Sequence, residues 1–185
     1  QEAGTTIEQA IALNPHLPVL YFEKALYALQ TGDTSAATEA YFEIMATDAD
    51  NIKARLRMCE LSSMMREREI ALDYCTEVTE LAPTWVDGWH KLGREYFLQG
   101  NFAAAQQNLN NCSSLQVMQN VGVSERRFEC WYLQGQAAEI LGDCPALLAT
   151  YNEFRAMTAE YPSPQTWVYP PEGPPGCTAA ATPGN

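Results

Sequence analysis

Positive charge is scarce in this chain. Of 185 residues only 11 are Lys or Arg, three of them Lys, against 23 Asp or Glu, and the formal net charge at pH 7 is -12. A nucleic-acid-binding surface needs clustered Lys and Arg to displace counterions from phosphates, so an acidic, lysine-poor chain argues against nucleic acid as a partner. Long apolar runs are missing as well, and none approaches the roughly 18 residues that a membrane-spanning helix requires. Histidine is limited to His16 and His90. There is no GxGxxG, Walker loop, HExxH or GxSxG. The six cysteines include no CxxC or Cys/His spacing that would hold zinc. The stretch TDADN, residues 47–51, opens like a calcium loop but lacks the glycine and the glutamate that such a loop needs, and it reads as a turn. These absences leave no cofactor, no metal and no catalytic centre in view. The expectation is a protein that binds rather than catalyses.

What is present is helical periodicity. In WHKLGREYFLQGNFAAA, residues 89–105, Trp89, Leu92, Gly93 and Tyr96 fall at i, i+3, i+4 and i+7 and share one helix face. Gly100 can take the positive φ that ends a helix, and a second apolar-periodic run opens at Phe102 with Ala105 on its inner side. A glycine facing an alanine lets two antiparallel helices approach closely, so the stretch predicts a helical hairpin.

The spacing resembles the tetratricopeptide repeat, whose signature W-x2-L-G-x2-Y, loop glycine, A-x3-F and late proline recurs about every 34 residues. The register repeats along the chain. Ala71, Cys75, Val78 and Pro83 fill the second-helix and closing-proline slots one period earlier, and Tyr21, Ala25, Gly32, Ala37, Tyr41 and Ile44 fill theirs one period before that. Trp131, Gly135, Gly142, Leu147, Tyr151 and Phe154 fit after a shift of 42, which places extra residues between Leu115 and Phe128. Ala3, Ile7, Ala10 and Pro15 match a second helix and its proline. Three positions depart from the pattern: Lys24 replaces the usual leucine, Arg55 the aromatic, and Arg66 the loop glycine.

The resemblance implies an all-α, right-handed α-solenoid. A half repeat near 1–17 is followed by repeats near 18–51, 52–85, 86–119 and 128–161, with an insertion at about 116–127. Residues 162–185 form a separate segment. They hold seven of the chain's eleven prolines, which exclude a helix and favour extended backbone, with Trp167, Val168 and Tyr169 as the sizeable apolar groups. The composition is that of a linker, although Trp167 and Cys177 are potential anchors.

In the family, Cys59 and Cys75 occupy slots on paired helices that pack against each other; Cys112 and Cys130 bracket the insertion; Cys144 lies in a turn and Cys177 in the tail. Sequential pairing, Cys59–Cys75, Cys112–Cys130 and Cys144–Cys177, is one of 15 connectivities, and six reduced, buried cysteines in a cytosolic protein are the alternative. Disulfides would place the protein in an extracellular or periplasmic compartment. The chain opens on Gln1, for which a signal peptide already removed is the simplest account and a cloned fragment another.

Binding sites follow from the same register. Family members line a concave groove with first-helix residues, which here include Phe22, Leu26, Leu29, Leu56, His90, Arg94, Phe97 and Tyr132. The Lys and Asn clamp with which some members hold a terminal carboxylate is absent, so an extended apolar or aromatic peptide suits this groove better. The second expectation concerns the ends. Ala3, Ile7, Ala10 and Ile11 form an apolar stripe without its usual partner, and together with Trp167, Val168 and Tyr169 they favour head-to-tail self-association into an oligomer or filament.

Overall fold

The structure is a computed structural model that describes residues 2–161 and Cys177. The tail residues Trp167, Val168 and Tyr169 lie outside the described residues. Nine α-helices and no strand occur among the described residues: α1 (Glu2–Leu13), α2 (Pro18–Gln30), α3 (Thr34–Thr47), α4 (Ile52–Met64), α5 (Arg68–Leu81), α6 (Val86–Leu98), α7 (Phe102–Met118), α8 (Glu129–Leu141) and α9 (Cys144–Glu160). They form two compact units, Gln1–Pro83 and Thr84–Asn185.

One turn design closes all four hairpins. Gly32, Gly100 and Gly142 have φ of 80°, 76° and 68°, and Arg66 takes the same conformation at 65°. At each turn the next residue's N–H reaches back across the helix end: Asp33 to Ala28 O, Glu67 to Ser62 O, Asn101 to Tyr96 O and Asp143 to Ala138 O. These bonds satisfy carbonyls that the helix end would otherwise leave open. The same next residue then starts the second helix, with Asp33, Asn101 and Asp143 accepting from the N–H groups of Ala36, Ala104 and Ala146. Glu67 makes no such side-chain cap.

In the first unit the core runs through α2, α3 and α4, from Ala25, Ala37 and Ile44 to Ala54 and Met58. Two of the three residues that break the repeat pattern, Lys24 and Arg55, have acidic partners. Lys24 Nζ meets Glu8 Oε1 on α1 at 2.8 Å. Arg55 pairs with Glu77 on α5 and donates to the Ala49 carbonyl, so an ion pair holds α4 to α5 where the pattern calls for an aromatic. A Cys59–Cys75 disulfide joins the same two helices, with Cα atoms 5.2 Å apart.

In the second unit Gly93 faces α7. A Cβ built on Gly93 would stand 2.6 Å from Leu109 Cγ and 3.1 Å from Leu109 N, so the close approach is against Leu109, one turn beyond Ala105. Helix α7 runs on to Met118, through part of the stretch expected as an insertion, and a 3-10 turn at Val123–Glu125 leads towards α8. Gln116 holds this connection. Its buried side chain donates to Cys112 O and accepts from the Arg127 N–H at 2.6 Å. A Cys112–Cys130 disulfide closes the loop from beneath, beside the buried Trp131, whose Nε1 donates to Glu153 at 2.9 Å. The third disulfide, Cys144–Cys177, ties Cys177 to the start of α9, where it packs beside Ala138 and Leu147.

Candidate functional site

The first-helix faces carry the expected binding residues, and the two units present them differently. On α2, Val19, Phe22, Leu26 and Leu29 recur at helical spacing on one face. Val19 is 56% exposed and Leu26 50%, whereas Phe22 and Leu29 are half-buried against the core. The Phe22 ring lies 6.1 Å from the Tyr41 ring, tilted at 58°. On α4, Leu56 is only 6% exposed and offers little surface. Around it stand exposed Lys53, Glu60, which pairs with Arg57 at 2.5 Å, and Ser63, which accepts from Arg68 at 3.1 Å. Exposed apolar side chains on α2 are Val19 and Leu26; Leu17 just before α2 and Leu13 at the end of α1, the latter at 80%, are exposed as well.

The second unit's face is a polar network. His90 on α6 is 2% exposed, and its Nε2 lies 2.8 Å from Glu129 Oε2 at the start of α8. Arg94 Nε approaches the other carboxylate oxygen at 3.8 Å, and Asp87 pairs with Arg127 of the insertion. Farther along, Gln136 donates to the Tyr132 hydroxyl at 3.2 Å, and the Phe97 ring stands edge-on to Phe102 at 5.3 Å. The structure thus brings His90, Arg94 and Glu129 together.

The protonation of this cluster follows from its geometry. His90 Nδ1 is buried with no hydrogen-bond partner, so a second ring proton would have no acceptor. Burial pushes the His90 pKa below its ordinary value against the pull of Glu129, leaving a neutral ring that donates Nε2–H to the carboxylate. That hydrogen bond, with Arg94 nearby, holds Glu129 below the usual carboxylate range. Both His90 nitrogens are enclosed, so the pair ties α6 to α8 and presents no base to solvent. Among the described residues no group of three His, Cys, Asp or Glu is placed to hold a metal ion.

At the other end of the chain, α1 buries no residue completely. Ile7, Ala10 and Ile11 are half-buried, and Ala3 is exposed. Ile7 lines a cleft of about 190 Å³ against α2 and α3, together with Gly4, Lys24, Tyr27, Ala28 and Ala36. Sequence reasoning missed this cleft. Its shape depends on Gly4 lying against the Tyr27 ring, a contact between helices that no local pattern encodes.

The sequence profile described as "Tetratricopeptide repeat" matches residues 86–116. No curated protein matches the chain. Among solved structures, MamA is 15% identical with a TM-score of 0.72, covering 85% of this chain and 87% of that one. TTC0263, a thermophilic TPR protein of Thermus thermophilus, is 18% identical with a TM-score of 0.62, covering 87% of this chain and 82% of its own. A set of nearly identical TPR-like repeats from Podosopora anserina is 16% identical with a TM-score of 0.66, over 86% and 87% of the two chains. At such identities the likeness establishes the fold alone. With four hairpins in one turn design, a tetratricopeptide-repeat profile matched at 86–116 and this shared fold, the chain has the fold of tetratricopeptide-repeat proteins and is similar to that family in its third hairpin.

Proposed function

We infer that the protein is a non-enzymatic scaffold for protein–protein interaction that associates with copies of itself, head to tail, in an oxidising compartment outside the cytoplasm. The observation that carries this reading is the set of exposed apolar side chains in the first unit, Leu13 at the end of α1, Leu17 before α2, and Val19 and Leu26 on α2. Apolar side chains gathered in one place gain about 25 cal/mol per Å² when covered, and an interaction site is the usual reason to leave them open. Ile7, Ala10 and Ile11 on α1 are half-buried and add to the apolar groups of this unit. Trp167, Val168 and Tyr169 are the apolar groups that the sequence offers as a complement. A repeated contact between unlike ends generates a ring or a filament. Three disulfides support an extracellular or periplasmic setting, because thiols there stay oxidised.

A second reading has its own observation. Val19, Phe22, Leu26 and Leu29 form a continuous stripe on a first helix, the shape that an extended apolar peptide of another protein would occupy in a monomeric receptor. Light scattering and negative-stain microscopy of the unreduced protein over a concentration series separate the two. Self-association predicts a mass that rises with concentration, with rings or filaments, and a collapse to monomer in Val19→Asp/Leu26→Asp. A constant monomeric mass overturns the first reading and favours the receptor.

A further inference from the structure

The three disulfides differ in access. Cys59, Cys75, Cys112 and Cys130 are all buried to within 1% exposure, inside the helix-packing core, whereas Cys144 and Cys177 are both half-buried at the end of the second unit. Thiol–disulfide exchange needs a thiolate to reach one sulfur along the bond, so a buried disulfide reacts only when the surrounding helices open, and an accessible one reacts from the folded state. We propose that Cys144–Cys177 is a thiol-exchange site, opened by a dithiol or glutathione-class reductant while the other two bonds stay closed.

The step is a pair of displacements. The reductant's thiolate attacks one sulfur, the S–S bond breaks, and the other cysteine leaves as a thiolate that takes up a proton. A second thiolate of the reductant then displaces the first cysteine from the mixed disulfide. Two electrons and two protons pass to the protein, and the reductant becomes its own disulfide.

Access, not an activated thiolate, sets the selectivity. Cys144 is the first residue of α9, where free N–H groups can stabilise a thiolate. Here they are taken: the Cys144 N–H donates to Gly142 O, the Ala146 N–H to the Asp143 side chain and the Leu147 N–H to Asp143 O, and Pro145 has none.

Opening the bond has a local consequence. Cys177 packs against Ala138 and Leu147, as do Tyr132 and Ala146, and Ile140 and Leu141 of α8 are already exposed. Exchange releases the disulfide that holds residue 177 at the start of α9, leaving the backbone as the link between them, and frees Cys177 from this apolar cluster. The helix-packing cores of both units stay closed by their own disulfides. None of this depends on self-association, because the test reads sulfur chemistry.

The experiment uses the full oxidised chain with dithiothreitol in small excess, quenched at timed intervals with iodoacetamide and mapped by peptide mass spectrometry, with far-UV circular dichroism in parallel. The expected result is labelling of Cys144 and Cys177 roughly tenfold faster than of the other four cysteines, with unchanged helical signal. Equal rates, or earlier labelling of Cys59, Cys75, Cys112 or Cys130, overturn the proposal. The variant Cys144→Ala/Cys177→Ala is the control. It should keep its helical signal and leave the remaining four cysteines unreactive; loss of helix, or exposure of those four, shows the bond to be structural and also overturns it.

Discussion

At Arg66 a side chain sits where the geometry wants none. Its φ of 65° matches the three glycines at the equivalent turns, and an L-residue there suffers a contact between Cβ and backbone that glycine avoids. Arg66→Gly should therefore raise stability by about 1 kcal/mol, read as a shift in the urea midpoint at unchanged slope. A midpoint that stays or falls would mean that the Arg66 side chain contributes more than the strain costs. Gly93 is the opposite case. A methyl group there meets Leu109 Cγ at 2.6 Å and the α7 backbone at 3.1 Å, so Gly93→Ala should lower stability by about 1–3 kcal/mol. A third expectation concerns pH. His90 is held below its ordinary pKa of 6.5, so below that pH the unfolded chain binds a proton that the folded chain refuses. Stability then falls as pH drops below about 6.5, and Glu129, depressed from 4.5, adds a second loss at lower pH. Denaturant midpoints measured from about pH 8 to 4 should follow this curve, and His90→Gln should remove the upper limb.

At the scale of elements, most of the hairpin pattern could be read from the sequence because it rests on local periodicity and on turn glycines. Trp89, Leu92, Gly93 and Tyr96 mark a helix face by spacing alone, and Gly32, Gly100 and Gly142 mark the turns because positive φ selects glycine. What escaped depends on partners distant in sequence. Lys24 and Arg55 look like defects in a repeat until Glu8 and Glu77 are seen beside them. Burial of His90 and Leu56 likewise follows from neighbouring helices, and removes both from the open surface that their repeat positions imply. The longer α7 and its connection to α8 show the same dependence, since Gln116 acts through Cys112 and Arg127. Because the Cys112–Cys130 bond closes that irregular loop, Cys112→Ala/Cys130→Ala should cost about 3 kcal/mol, seen as a lower Tm in calorimetry. An unchanged Tm would mean that the hydrogen bonds of Gln116 suffice to order the connection.

At the scale of the whole molecule, charge decides how association responds to salt. Every copy carries a formal charge of -12, so two copies brought together repel, and the apolar contact through Leu13, Leu17, Val19 and Leu26 has to exceed that repulsion. Screening weakens the repulsion between exposed charges, since the Debye length shortens from about 30 Å at 0.01 M salt to about 8 Å at 0.15 M. The apolar contact is little affected by so modest a change in ionic strength. Self-association should accordingly strengthen over this salt range, read as a larger weight-average mass at fixed protein concentration by sedimentation. A foreign ligand carrying positive charge would behave in the opposite sense, because its attraction to an acidic surface is screened by the same ions. If mass declines as salt rises, attraction between unlike charges must dominate the contact, and the exposed side chains of α2 would no longer account for it.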